Sequence, residues 1–428
     1  MFTTDFKDQP YWWEQMPLTT MDDNPLPESV DVVIIGAGYT GLNAAIQTAR
    51  AGRNTLVLDA ENAGWGASTR NGGQVSTSVK PSYDELNKKH GPEVAYAILK
   101  EGFTSLQWTE DFIRSEDIDC DFKVAGRFHA AHNSSQYEKL GKAVDRNISG
   151  LETESYMVPR AEQQAELGTD GYFGGAMFPK HASLHPARYH RGLLNKVMDA
   201  GATTISHCPV TDLSREKEGF LVKTPKGIVK AKQVMIATNG YTGGLTPWHQ
   251  RRVIPIGSYV IATEALAPEV MDRLMPKDRI VSDTRKVVYY YRPSPDRSRI
   301  VFGGRVSLGE TNPRASGPML HRSLTGIFPE LADAKISHSW MGFVAFTFDT
   351  LMHVGEDDGL FYSMGYCGSG VGMASYLGMK VGQQMLDKKE GETAFNNIGF
   401  QTRPLYKGKP WFLSPSVMYY KMRDHINI

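Results

Sequence analysis

Asp31-Val32-Val33-Ile34-Ile35-Gly36-Ala37-Gly38-Tyr39-Thr40-Gly41 is the stretch on which the reading of this chain turns. Four β-branched apolar residues in a row are the mark of a strand buried on both faces of a parallel sheet. The run breaks into Gly-x-Gly-x-x-Gly, a helix follows over 42–50, and Gly52 closes it in the C′ position. Thr55-Leu56-Val57-Leu58 is a second buried strand, so one βαβ unit is complete within about 30 residues. In that setting Gly36 permits the tight turn, Gly38 lets the backbone approach a pyrophosphate, and Gly41 lets helix and strand close-pack. The helix N-terminus offers N–H donors and a positive dipole end to phosphate. Asp59 ends the second strand 18 residues after Gly41, placed to accept from a ribose hydroxyl. The chain carries a single such fingerprint, which argues for one bound dinucleotide.

Composition narrows the class. Glycine is in excess, 42 of 428 residues, against roughly 7% ordinarily. Lys+Arg and Asp+Glu both number 47, and a zero balance argues against a nucleic-acid or acidic-membrane partner. An apolar content of 41% with 22% charge is that of a globular chain with a core. Cys120, Cys208 and Cys367 are widely spaced; they form neither a disulfide ladder nor a metal pair, and suggest a reducing cytoplasm. The twelve histidines show no HxH or HExxH spacing, so no metal site is expected. The N-terminal residues have charges and no apolar core of a secretory signal, and no run reaches the ~18 apolar residues of a spanning helix.

The expected fold is α/β with an α+β second domain: a Rossmann-like nucleotide-binding domain interleaved with a β-sheet-rich substrate domain. The first is assigned 28–82, 150–245 and 341–395, the second 83–149 and 246–340, with 1–27 and 396–428 as surface-packed termini. A long helix is expected over 93–116, another over 185–200, and a last one over 372–388. Strands are expected at 253–263, 287–291 and 300–304, and Tyr11-Trp12-Trp13 should pin the lead-in onto the body.

A second glycine cluster follows the second strand: Gly64-Trp65-Gly66-Ala67-Ser68-Thr69-Arg70-Asn71-Gly72-Gly73-Gln74. A plain NAD dehydrogenase has no need of this loop. Together with 36–41 it resembles the D-amino-acid oxidase/glycine oxidase/sarcosine oxidase superfamily of FAD proteins. The likeness continues at Leu184-His185-Pro186, Ile236-Ala237-Thr238-Asn239-Gly240, 253–259, Phe302-Gly303-Gly304-Arg305 and Gly365-Tyr366-Cys367-Gly368-Ser369-Gly370-Val371. Pro410-Trp411-Phe412-Leu413 and 419–424 resemble the subgroup that contains γ-glutamylputrescine oxidoreductase.

The resemblance implies that Gly36, Gly38, Tyr39, Thr40, Gly41, Asp59 and Ala60 hold the ADP half of FAD. Ser68, Thr69, Arg70, Asn71, Gly72, Gly73 and Gln74 would lie along the pyrophosphate and flavin edge. Val210 would touch adenine through its backbone, with Ala237 and Thr238 nearby. Gly365, Gly368, Ser369, Gly370 and Val371 would bring N–H groups and a helix start to flavin N1/O2, where a reduced flavin is anionic. The family pattern has Ser and His where Cys367 and Ser369 stand, so no imidazole is assigned there. The segment 340–346 has no Cys of the kind that tethers flavin in sarcosine-oxidase-like members, which implies non-covalent FAD.

For catalysis, Tyr259 and Trp340 sit where the family builds its substrate cavity. Arg305 can clamp a substrate carboxylate or form an interdomain salt bridge. Cys367 is either a redox thiol or a small residue beside the ring. Among Tyr289-Tyr290-Tyr291, at least one ring should face the core or a pocket. The implied activity is oxidation of a C–N bond of a small, γ-glutamylputrescine-like amine or an amino-acid derivative. Hydride passes to flavin N5, the imine hydrolyses to an aldehyde, and dioxygen or another acceptor reoxidises the cofactor. The alternative is oxidative demethylation of an N-methyl amino acid. A cytoplasmic monomer or homodimer without nucleic-acid or membrane partners completes the expectation.

Overall fold

Two sheets divide the chain in the computed structural model, which describes residues 1–77, 79–146, 148–305 and 309–426. In the first, Ser29–Ile35 runs parallel between Thr55–Leu58 and the end of Gly227–Ile236. Thr203–Ile205 extends it parallel beyond Thr55–Leu58, and Leu360–Met364 joins parallel to Gly227–Ile236. The meander Asp212–Glu216, Gly219–Thr224, Gly227–Ile236 and the strand His353–Asp357 add antiparallel pairs.

The unbroken apolar run 32–35 is explained by what covers it. Val32 and Ile34 belong to a core shared with the helices Tyr39–Arg50, Pro186–Asp199 and Gly370–Gln384. Val33 and Ile35 belong to a second core on the opposite face, with Leu56, Leu58 and Val222. Neither face meets water, so alternation has no reason to appear.

The second sheet has nine strands in the order Phe2–Lys7, Ile336–Phe346, Ile254–Thr263, Ile300–Gly304, Tyr289–Pro293, Ile280–Asp283, Arg127–Ala130, Gly175–Phe178 and Tyr156–Val158. One face packs Tyr259, Tyr291 and Phe302 against the helix Pro313–Ile327 through Leu320 and Leu324. The other places Val260, Val301 and Trp340 against Trp12 and Ala187, toward the nucleotide side.

Three expected boundaries shift. The strands Tyr156–Val158 and Gly175–Phe178 pair into the nine-stranded sheet, so the return to the nucleotide side comes after them and not at 150. The helices Tyr83–His90 and Pro92–Ser115, expected with the substrate domain, bury Leu86, Ala95, Ile98, Phe112 and Ile113 in the same core as Val32 and Ile34. Their apolar stripe is satisfied by the Gly370–Gln384 helix rather than by the sheet that follows them in sequence. The lead-in is also more than a surface strap: Phe2–Lys7 is an edge strand, parallel to Ile336–Phe346, and Trp12 is fully buried. Among the described residues no helix is long and apolar enough to cross a membrane.

Candidate active site

The first glycine turn is built by close approach. Gly36 adopts φ +111°, and a Cβ there would stand 2.9 Å from the Ala237 carbonyl oxygen. A Cβ on Gly41 would stand 2.0 Å from the Gly36 carbonyl oxygen, so helix and turn could not coexist with a side chain at 41. The helix Tyr39–Arg50 starts at Gly38, which gives its first-turn N–H groups no side-chain cap. Ser68 reaches across from the second glycine loop to accept from the Tyr39 N–H at 2.9 Å. Asp59 accepts from the N–H groups of Ala37 (2.8 Å) and Glu61 (3.0 Å), and burial raises its pKa. Its carboxylate is thus oriented by main chain. Ala60 beside it is exposed, and Val210 is half-buried against the second core. Thr238 pairs its hydroxyl with that of Thr242 at 2.7 Å.

The second glycine loop is held from outside by three indoles. The Trp12 N–H donates to the Asn71 carbonyl (2.9 Å), Trp13 to the Thr69 hydroxyl (2.8 Å) and Trp340 to the Arg70 carbonyl (2.8 Å). The Arg70 guanidinium lies between the rings of Trp13 and Trp65, at 4.8 and 4.4 Å, and donates to the carbonyls of Trp65 and Met341. Asn71 ties its amide to the carbonyls of Ala67 and Ser68 and accepts from the Gly73 N–H. Gln74 crosses to the nine-stranded sheet and donates to the carbonyls of Val281 and Tyr291, at 3.1 and 3.2 Å. Gly72 faces the ring of Tyr290, 3.0 Å from where a Cβ would sit.

The third glycine turn abuts the first. Tyr366 places its hydroxyl 2.7 Å from Thr40 Oγ1 and 2.9 Å from Ser363 Oγ, which bolts the first turn of one helix to the approach of the other. Asn239 accepts from the Gly365 N–H at 2.9 Å. The helix Gly370–Gln384, which includes Val371, begins at Ser369 without a side-chain cap. Two helix starts whose N-cap residues make no side-chain cap, and the glycine cradle between them, fit a dinucleotide whose far end becomes anionic. The first helix start, Asp59 and Ser68 would hold its phosphates and ribose; the second helix start would face the flavin edge.

The four expected catalytic residues do not form one constellation. Tyr259 requires a correction: its ring is fully buried on the face that packs under Pro313–Ile327, away from the glycine loops, and its hydroxyl donates to Glu310 at 2.7 Å. Arg305 meets the same Glu310 carboxylate at 2.9 Å and the Gly257 carbonyl at 2.8 Å. Its ion pair is local rather than interdomain. Trp340 faces the glycine loops but is fully buried against Trp12. Cys367 is buried, its Sγ–H donates to the Gly365 carbonyl at 3.1 Å, and burial pushes its pKa up to about 11. It is a protonated thiol. Of the three tyrosines, Tyr291 is core, Tyr289 pairs with Ser323, and Tyr290 alone faces the flavin loop, its hydroxyl 2.9 Å from Ser258 Oγ.

A group that no motif announced stands nearby. The Arg127 guanidinium lies 4.8 Å over the Phe178 ring, which stacks on His181 at 5.1 Å. His129 meets Ser282 Oγ at 2.9 Å. Burial lowers these groups, His129 to about 3, His181 to about 2 and Arg127 to about 10. Lys80 lies by the third glycine turn, its Cε 3.9 Å from where a Gly368 Cβ would stand. Such residues lie on strands and loops distant in sequence and have no spacing to betray them.

The comparisons with known proteins agree with this geometry. The family model of the DAO FAD-dependent oxidoreductases matches residues 31–384. The chain is 29% identical over 410 residues to gamma-glutamylputrescine oxidoreductase of Escherichia coli, covering 94% of this chain and 95% of that one. It is 31% identical over 409 residues to a probable oxidoreductase OrdL of Rhizobium meliloti, covering 94% and 93%. The crystal structure of glycine oxidase from Geobacillus kaustophilus superposes with a TM-score of 0.74 at 19% identity, over 88% of this chain and 99% of that one. The nucleotide turn, the flavin loop, the capless second helix and the matched family model lead to one assignment: this chain belongs to the DAO family of FAD-dependent oxidoreductases, and FAD is its cofactor.

Proposed function

We propose that the protein oxidises the C–N bond of a small amine of the γ-glutamylputrescine type to an imine, which water converts to an aldehyde, with dioxygen as electron acceptor and hydrogen peroxide as product. The observation that carries the reading is the full-length similarity to gamma-glutamylputrescine oxidoreductase. When bound, FAD supplies the hydride acceptor and the route for electrons to oxygen. The chain's own contribution is orientation and dryness. Tyr290 and Ser258 present a hydrogen-bonded wall opposite the Gly72 loop. The uncapped start of Gly370–Gln384 stabilises negative charge beside it. No dedicated strong base is needed when the amine binds neutral, since its lone pair drives the loss of hydride.

The test is an amine panel under air with peroxide detection, together with anaerobic bleaching of the flavin band. γ-Glutamylputrescine should bleach the flavin and yield an aldehyde and peroxide. Formaldehyde released from N-methyl amino acids, with primary amines inert, would overturn the proposal in favour of demethylation. Bleaching without peroxide would overturn dioxygen as the acceptor.

A further inference from the structure

The closing segment around Pro410-Trp411-Phe412-Leu413 takes no part in the site described above, yet it is fixed to the body. The Tyr406 ring is buried, and its hydroxyl donates to the Val253 carbonyl at 2.6 Å. Phe412 packs on Tyr406 and Phe348, and Leu413 and Val417 of the last helix, Leu413–Ile426, are buried. Asp424 accepts from the N–H groups of Lys286 (2.8 Å) and Val287 (3.0 Å), which pins the far end of that helix. Side chains between these anchors are held outward, and several are large and apolar. Leu405 is 86% exposed, Trp411 72% and Met418 61%, with Tyr419 and Met422 also exposed. Met418, Tyr419 and Met422 share one helix face by their three- and four-residue spacing, opposite Leu413 and Val417. A cluster of this kind on a fixed platform marks a contact surface.

The charge of the segment has one sign. No Asp or Glu stands between Glu392 and Asp424, whereas Arg403, Lys407, Lys409, Lys421 and Arg423 do. Arg403, Lys407 and Lys409 are exposed on either side of Leu405 and before Trp411, and among the described residues none of the three pairs with a carboxylate. Arg251 joins them: the Thr402 hydroxyl donates to its carbonyl at 2.6 Å, and its side chain is exposed. Nearby carboxylates are engaged. Asp349, next to Phe348, is 1% exposed and bonds His353 and Thr347, and Glu310 pairs with Arg305. Two copies of the chain meeting through this face would set cation against cation, so the charge favours an anionic partner. Exposed Leu, Met and aromatic side chains set among Lys and Arg suit anionic lipid headgroups with acyl chains beneath them.

We infer that the surface formed by 403–411 and the outer face of Leu413–Ile426 docks the protein on an anionic lipid bilayer. Leu405, Trp411 and Met418 enter the interface, and the cations around them meet lipid phosphate. This is contact with one leaflet and not passage through it, in keeping with the lack of a spanning helix among the described residues. A zero balance over the whole chain excludes a basic protein, not a basic face. The docking goes beyond the amine-oxidation reading and is independent of it, because lipid binding is measured without turnover.

The experiment floats the FAD-loaded full chain with vesicles of phosphatidylcholine alone and of phosphatidylcholine mixed with phosphatidylglycerol, at low and at high salt. Each cation near an anionic leaflet contributes roughly fivefold to partitioning. Binding should therefore require phosphatidylglycerol and fall with salt. Lys407→Gln combined with Lys409→Gln should weaken it by about 25-fold. Leu405→Ser combined with Trp411→Ser should weaken it by about tenfold or more, while Trp411→Phe keeps most of it. All four side chains are exposed, so FAD content and Tm should match the wild type in every variant. Equal binding to both kinds of vesicle, no binding to the anionic vesicles at low salt, or variants that bind as the wild type does would overturn the inference. So would a wild-type dimer in sedimentation velocity that Leu405→Ser with Trp411→Ser breaks into monomers, since the face would then belong to a second copy.

Discussion

The cofactor half and the substrate half of this enzyme are built from different materials. The cofactor half is made largely of main chain: a glycine turn at 36–41, a loop whose carbonyls are gripped by Trp12 and Trp340, and two helix starts whose N-cap residues, Gly38 and Ser369, make no side-chain cap. The β-sheet half is made of side chains projecting from strands, and in the reading proposed above Tyr290, Arg127 and His129, from two strands of one sheet, stand on the side where a substrate would lie. Main-chain recognition of a constant ligand constrains sequence tightly at few positions. Side-chain recognition of a variable ligand spreads over many, each replaceable.

The comparison makes its largest prediction at Gly41. A Gly41→Val side chain would have to occupy the space of the Gly36 carbonyl, an overpacking at or above about 1–3 kcal/mol. The variant should be recovered colourless or nearly so, with an FAD-to-protein ratio below about a tenth of the wild type's, about 1.4 kcal/mol or more in binding. Acid precipitation of the wild type should free its flavin into the supernatant. A yellow Gly41→Val protein with ordinary thermal stability would break the claim that this half is fixed by backbone contact.

The second effect is acid sensitivity shared by both halves. His181, His185, His190 and His249 are buried, and burial depresses their pKa from 6.5 to about 2, 3, 4 and 4. Between pH 6.5 and 4 the unfolded chain binds protons that the folded chain refuses. Stability is therefore full above pH 6.5 and is lost as pH falls, by up to about 1.4 kcal/mol per pH unit for each such histidine. Thermal melts should show Tm declining from pH 7 to pH 5, with FAD release and loss of helical signal moving together. A flat Tm over that interval contradicts the neutral state assigned to these rings, and earlier FAD release would separate the halves.

The smallest effect is expected at Cys367, which sits where the halves meet. Its thiol is protonated and bonded to the Gly365 carbonyl. Cys367→Ala should keep kcat/KM within about threefold of wild type, under 1 kcal/mol of transition-state energy, with stability lowered by about 1 kcal/mol. A hundredfold loss of kcat with FAD content intact would move the thiol into the chemistry.

The same division governs how much the sequence disclosed. The βαβ unit could be read because Gly36, Gly38 and Gly41 meet a steric demand that leaves a fixed spacing. The doubly covered sheet announced itself through the unbroken run 32–35. Tyr259 was misplaced because both faces of its strand are buried, Val260 on one and Tyr259 on the other, so alternation of polarity gives no clue to which side meets the flavin. The helices 83–115 were assigned to the wrong body because an amphipathic stripe tells that a helix packs, not on what. Arg127, His129 and His181 left no trace, since they are brought together from strands and a loop with no spacing to betray them.

The edge strand Phe2–Lys7 has a consequence for the order in which the molecule is made. Its partner lies at the far end of the chain: Thr3 and Ile336 are bonded across 333 residues. Trp12 and Trp13, which follow it, are two of the three indoles gripping the flavin loop, and the third, Trp340, is itself among the late residues. A nascent chain emerging from the ribosome can close the βαβ unit early, because those contacts are local. It cannot seat its own first residues until some three hundred more have followed, and long-range closure of this kind is slow. The contacts that shape the phosphate end of the cofactor pocket are thus local in sequence, while those that hold the flavin end join the first residues of the chain to residues some three hundred positions later.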